Sequence, residues 1–131
     1  GKDKATVVTD TGVISDSILR RMDDTTLLVL EANYDPHMLR FGPYQPFLKQ
    51  RVASDEGHLS NEMAAQALLM MNRPDFMQVI LAHRSENNNN AVLVTQTIGK
   101  MLVDGGVRIG PEMKLQHGQP NEIVSMKSVK R

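Results

Sequence analysis

Three short apolar runs govern what this chain can fold into. They are Ala5-Thr6-Val7-Val8-Thr9, Thr26-Leu27-Leu28-Val29-Leu30 and Phe76-Met77-Gln78-Val79-Ile80-Leu81-Ala82, and each stops at a polar side chain, Asp10, Glu31 or His83. Runs this uniformly apolar predict strands covered on both faces, with Val7, Val8, Leu28, Val29, Val79, Ile80 and Leu81 buried. The segments between them have helical spacing. Ser17 to Arg21 follows Ser15 or Asp16 as cap, and Met38 to Arg40 follows Asp35-Pro36, an N-cap with proline behind it. Phe41 to Pro46 reads as a turn and Phe47 to Ala53 as a further helical segment. Ala64, Ala67, Leu68 and Met71 recur on one helical face from Glu62 to Asn72-Arg73-Pro74, and Ala91 to Leu102 forms the last strong helix. Ser85 to Asn90 is a polar loop, and Lys114 to Gln116 and Ile123 to Met126 are weak strands. Strands alternating with helices predict an α/β fold in one domain over residues 1–131, with no internal repeat or linker.

In open α/β sheets, the chemistry gathers beyond the carboxyl ends of the strands. Right-handed crossovers put the three strand ends on one side. Asp10, Glu31 and His83 are therefore expected to share a rim. His58 joins them from the turn Ser54-Asp55-Glu56-Gly57-His58-Leu59-Ser60-Asn61-Glu62, set against the apolar helix that follows, where Ser60 or Asn61 can cap free N–H groups. Asp and His are good ligands for zinc or manganese, whereas Glu31 beside His58 suits a carboxylate orienting an imidazole for proton transfer. Each has a structural alternative. Asp10 can cap the turn of Thr11 and Gly12, Glu31 can be a strand-end surface carboxylate, and His83 can be satisfied by backbone. His37 and His117 lie in turns without convergent partners and read as surface histidines.

Composition excludes more than it assigns. The 15 basic and 15 acidic residues cancel, so no global field recruits nucleic acid, although a local cleft remains open. Cysteine is absent, which removes disulfides and thiolate chemistry and fits a reducing, cytoplasmic compartment. No apolar run reaches the roughly 20 residues of a membrane helix. With aromatic residues at 4% and no tryptophan, base-stacking platforms are not expected. Walker, dinucleotide and Gly-x-Ser-x-Gly motifs are missing.

The succession Val8-Thr9-Asp10-Thr11-Gly12, Leu30-Glu31-Ala32-Asn33, Gly57-His58-Leu59-Ser60-Asn61 and Leu81-Ala82-His83-Arg84-Ser85 resembles the C-terminal half of a metallo-β-lactamase-fold phosphodiesterase. The group it is most similar to is YycJ/WalJ (VicX), related to RNase Z. The resemblance implies half of an αββα sandwich that binds two divalent metal ions, zinc or manganese, between its sheets. It implies Asp10 and His83 as metal ligands, Glu31 and His58 as a proton-transfer pair, and Ser60, Asn61 and nearby N–H groups as phosphate contacts. The family's His-x-His-x-Asp-His motif has no counterpart here, nor does the histidine that normally precedes Asp10. The expectation is a partial domain lacking most of the metal shell. Its parent would be a metal-dependent phosphodiester hydrolase, most simply a nuclease acting on nucleic acid, while the isolated chain is inactive. Two other readings compete: a non-catalytic dimerisation or assembly module, and a single-metal hydrolase of a small phosphate or ester. A half-sandwich also predicts self-association, or pairing with the missing half, through its uncovered sheet face.

Overall fold

The computed structural model describes residues 3–118. Its elements are β1 (Ala5–Val8), α1 (Asp16–Met22), β2 (Leu27–Glu31), α2 (Pro36–Phe41), α3 (Pro46–Val52), α4 (Asn61–Met70), β3 (Met77–Ala82), α5 (Ala91–Asp104) and β4 (Met113–His117). The strands form one parallel sheet in the order β1-β2-β3-β4. Strand order equals chain order, so right-handed crossovers carry every connection over the same face. The core follows that rule. Val8, Leu28, Leu30, Val79 and Leu81 on one face of the sheet cluster with Met22 of α1, Ala64, Ala67 and Leu68 of α4, and Val94, Ile98 and Leu102 of α5. The α5 residues recur every fourth position, one stripe of a helix that Asn90 starts through its side chain and Gly105 ends.

The opposite face is different. Register aligns Val7 with Val29, Val29 with Ile80, and Ile80 with Gln116 in one row across all four strands. Ile80 is buried and Val29 partly so, but Val7 is 59% exposed. Full burial of Val7 and Val29, expected from the sequence, is therefore corrected. Val7 stands on an edge strand, on the face opposite the helices, and an apolar run alone cannot tell which face a helix covers. Among the described residues, α1, α4 and α5 give the sheet its cover on one side only.

Lys114 to Gln116 is realised inside β4, whereas Ile123 to Met126 lies outside the described residues. No helix of the described residues is long and apolar enough to cross a membrane.

Candidate functional site

The site is built where three neighbouring strands end. Glu31 is the last residue of β2, Asp10 follows β1 by two positions and His83 follows β3 by one. Asp10 and His83 both leave their strands in the left-handed region, with φ 59° and 54°. That conformation is uncommon for any residue with a Cβ and is held only where surrounding contacts over-determine it. Here they do. The Asp10 N–H donates to Glu31 Oε1 at 2.8 Å, while the His83 carbonyl accepts from Asn33 Nδ2 at 2.6 Å.

Glu31 is the centre of the constellation. Its side chain is fully buried, yet it is a carboxylate. Burial without partners would be prohibitive, and its partners are the other three candidate residues. Oε1 takes the Asp10 N–H and lies 3.2 Å from His83 Nδ1. Oε2 lies 2.5 Å from His58 Nδ1. Asp10 Oδ1 is 3.6 Å from His83 Nδ1, with those two side chains 70% and 50% exposed. Ligand atoms of Asp10, Glu31 and His83 lie within 4.8 Å of one another. The structure thus brings all four rim residues of the sequence reading together. The surface-carboxylate reading of Glu31 is excluded by its burial.

His58 arrives from the loop before α4, and that loop is fastened at every step. Its N–H donates to the carbonyl of Val52 at 2.9 Å, the next carbonyl, of Leu59, accepts from Asn33 N–H, and a parallel bridge joins Tyr34 to Ser60. Gly57 is required. A Cβ there would meet the carbonyl oxygens of Arg51 and Val52 at 2.3 Å. Gly12 is required for the same reason on the other side, since a Cβ would meet the Ser54 carbonyl oxygen at 1.7 Å. The turn after β1 and the turn before His58 are therefore in backbone contact, sealed by Gly12 N–H donating to the Asp55 carbonyl at 2.9 Å.

Ser60 and Asn61 are placed differently from the phosphate contacts expected of them. The Ser60 hydroxyl accepts from Met63 N–H as the cap of α4, and its residue is buried. Asn61 is fully buried and exchanges two amide hydrogen bonds with Asn89, at 2.9 and 2.8 Å. Their side chains are committed to closing the helix start, because orphan N–H groups there are buried and need internal partners.

The sequence reading missed the asparagines. Residues 85–90 form a loop, as expected, but Asn88 and Asn89 are 1% and 4% exposed. Asn89 donates to the Ala32 carbonyl, and the Asn88 carbonyl accepts from Asp35 N–H. Asn33 is the other fastening. It donates from its side chain to His83 and from its backbone to Leu59, and its carbonyl accepts from Ser85 N–H. Four asparagines in succession beside a strand end were the available signal. Both remaining histidines are exposed. His37 rests against Phe41 with ring centroids 4.7 Å apart, and His117 is 2.8 Å from the Thr95 hydroxyl. Desolvation, then the neighbouring Arg84 charge, lowers the His117 pKa below the ordinary imidazole value.

The donor set suits a divalent cation in part. Two ligands at 2.0–2.2 Å from one tetrahedral ion stand roughly 3.4 Å apart. Asp10 Oδ1 and His83 Nδ1 have nearly that spacing and open to solvent. Glu31 belongs to the same donor group but is fully buried with both oxygens engaged, which leaves Asp10 and His83 as its solvent-open members. Two open donors, or three with Glu31, leave a coordination sphere to be completed from elsewhere.

No family model matches the chain, and no solved structure matches it significantly. Two kinds of relative do. The chain is 32% identical over 117 residues to "Exodeoxyribonuclease YycJ" of Bacillus anthracis, a match covering 89% of this chain and 44% of that protein. It is 34% identical over 115 residues to "Exodeoxyribonuclease WalJ" of Streptococcus pneumoniae, covering 88% of this chain and 43% of that one. The chain is therefore similar to the YycJ/WalJ exodeoxyribonucleases through nearly all of its own length, while spanning less than half of theirs.

Proposed function

We propose that this chain contributes the Asp10–Glu31–His58–His83 portion of a metal-dependent phosphodiester-hydrolysing site, with nucleic acid as substrate of the protein it forms part of. The observation that carries the reading is the buried Glu31 carboxylate, held against His58 by one oxygen and against Asp10 and His83 by the other. A surface carboxylate has no reason to be fully buried among two histidines at the edge of a sheet. The names of the relatives supply the substrate class.

In this reading, Glu31 fixes the orientation of His58. A hydrogen bond from Nδ1–H to the carboxylate leaves Nε2 as the nitrogen that exchanges protons. The ring is 35% exposed, open enough to reach a substrate while still oriented. It delivers a proton to the departing oxygen, or accepts one from an attacking water. Asp10 and His83 hold divalent ions, zinc or manganese. Such ions, when bound, supply positive charge to the phosphoryl oxygens as those develop charge. Ser60 and Asn61 support the loop that carries His58. The one-sided sheet suits half of a metallo-β-lactamase-type αββα sandwich, its helices outside and a second sheet against Val7 and Val29.

Metal titration of the purified chain tests the ligand assignment. Zinc or manganese binds weakly, and Asp10→Ala lowers the affinity at least about tenfold while leaving the unfolding midpoint nearly unchanged, since the Asp10 side chain is 70% exposed. The isolated chain hydrolyses phosphodiesters at background rate, because two donors cannot hold a two-metal centre. Equal metal affinity in the wild type and Asp10→Ala refutes the assignment.

A second reading, an assembly module, rests on Val7, which is exposed, and the partly exposed Val29 beside it on the sheet face opposite the helices. Apolar surface gains about 25 cal/mol per Å² on burial, and a second copy has to cover enough of this face to exceed association costs of about 4–15 kcal/mol. Light scattering is expected to find a dimer that Val7→Asp shifts towards the 14.6 kDa monomer. A wild-type chain monodisperse at that mass removes this reading.

A further inference from the structure

The chain has few aromatic residues, but it does not scatter them. Two of its three phenylalanines, Phe41 at the end of α2 and Phe47 at the start of α3, flank the short turn that holds Tyr44, one of its two tyrosines. Both phenylalanines are 68% exposed. Isolated exposed apolar residues are ordinary and need no account. Two large rings bared together on one short helical hairpin are a different matter.

The hairpin also carries charge of one sign only, in a chain whose charges sum to zero. Residues 36–53 include Arg40, Lys49 and Arg51 and no aspartate or glutamate. Among the described residues, none of these three cations is in an ion pair. Arg40 and Lys49 are linked in space as well as in sequence. The Lys49 ammonium donates to the Arg40 carbonyl at 2.7 Å, drawing α3 against the end of α2. The Arg40 guanidinium lies over the Phe41 ring, 5.4 Å from its centroid.

The hairpin is also rooted beside the site. It leaves the sheet five residues beyond Glu31 and returns five residues before His58. Its two roots are tied there, with the Val52 carbonyl accepting from His58 N–H and Asp35 N–H donating to the Asn88 carbonyl. The adjoining acidic residues are outside it. Asp35 caps α2 through its side chain, and Asp55 belongs to the turn against Gly12.

We infer that the α2–α3 hairpin is a stacking platform that holds the unpaired bases of a single-stranded nucleic acid beside the site, through Phe41 and Phe47, while Arg40, Lys49 and Arg51 follow its phosphates. The inference rests on the phosphodiester reading for its substrate class and adds how that substrate is held. Exposed aromatic rings beside unneutralised cations suit single strands, because every base offers a π-face and every linkage a charge. Phe47 is the more open of the two rings, since Phe41 already has the Arg40 guanidinium over it and His37 against it. Duplex bases have their faces occupied by one another and cannot stack on a protein ring without being opened.

The chain contains no tryptophan, so Phe47→Trp installs a unique fluorophore on the platform. Adding a short single-stranded oligodeoxynucleotide to that variant of the whole chain quenches the fluorescence, and the matching duplex does so much less. In anisotropy with the same labelled strand, Phe41→Ala/Phe47→Ala binds at least about tenfold more weakly, as expected for lost base–aromatic stacking. Arg40→Gln/Arg51→Gln lowers the slope of log affinity against log salt by about 1.4, roughly 0.7 for each phosphate contact on a single strand. Absence of quenching at saturating oligonucleotide overturns the platform, as does equal affinity of the double alanine variant. Quenching by duplex as strong as by single strand overturns it too. Should light scattering show that the double alanine variant dissolves a self-association of the wild type, the rings belong to a protein interface and the inference falls. Ion titration with Asp10→Ala is independent of these measurements. Quenching without ion binding defeats only the hydrolase reading, and ion binding without quenching defeats only the platform.

Discussion

Replacing His58 with alanine, in the full-length phosphodiesterase proposed above, is expected to lower turnover by about 10²–10⁴-fold with divalent-ion content unchanged. The magnitude is that of losing a positioned general acid or base. The separation of turnover from metal content comes from geometry. His58 Nδ1 is bonded to Glu31, a residue whose two oxygens are both engaged, whereas the exposed donor pair is Asp10 and His83. Glutamine at position 58 is the informative companion. It can donate to Glu31 and so preserve the loop, but it has no proton to exchange at neutral pH, and turnover stays low. Metal analysis beside a phosphodiester assay separates the possibilities. If His58→Ala strips the ions, His58 is a ligand and the division of roles is wrong.

Gly12→Ala is expected to destabilise the isolated chain by about 3 kcal/mol, at the upper end of what overpacking costs. The added Cβ falls 1.7 Å from the Ser54 carbonyl oxygen and 3.0 Å from the Asp55 carbonyl carbon. These are backbone atoms, so no side chain can rotate away. Relief requires moving the turn of residues 54–57, which also breaks the Gly12 N–H bond to Asp55 and disturbs the root of His58. A domain of this size has only about 5–15 kcal/mol to lose. Urea unfolding of the two proteins measures the difference. A loss under about 1 kcal/mol means the 54–57 turn yields freely and does not brace His58.

Much of this molecule is local and was therefore legible in its residues. Asp35 caps the helix that follows it as read, and so do Ser15 and Ser60, each one of two candidates, through a side-chain oxygen that accepts a backbone N–H three residues on. The apolar runs became β1, β2 and β3, and parallel strands joined by right-handed crossovers have little freedom about where their ends point. Asp10, Glu31 and His83 could be placed on one rim because that conclusion needs only strand polarity and connection handedness.

Other features depend on contacts between parts of the chain that sequence spacing does not relate. Val7 looks as apolar as Val8, yet its neighbour is buried beneath helices and it is not, because successive side chains point to opposite faces and only one face is covered. Ser60 and Asn61 have the composition of a phosphate-binding turn. Their side chains turned inward once Asn89, 28 residues beyond Asn61, came to lie against the start of α4. Glu31 is the sharpest case. Composition allowed it to be a solvated strand end, and nothing in residues 27–35 says otherwise. Its burial is set by three remote partners, at positions 10, 58 and 83, that arrive only when the sheet closes and its turns interlock. A carboxylate tolerates such a place only with its hydrogen bonds made, so tertiary structure alone decided that Glu31 is the hub of the site.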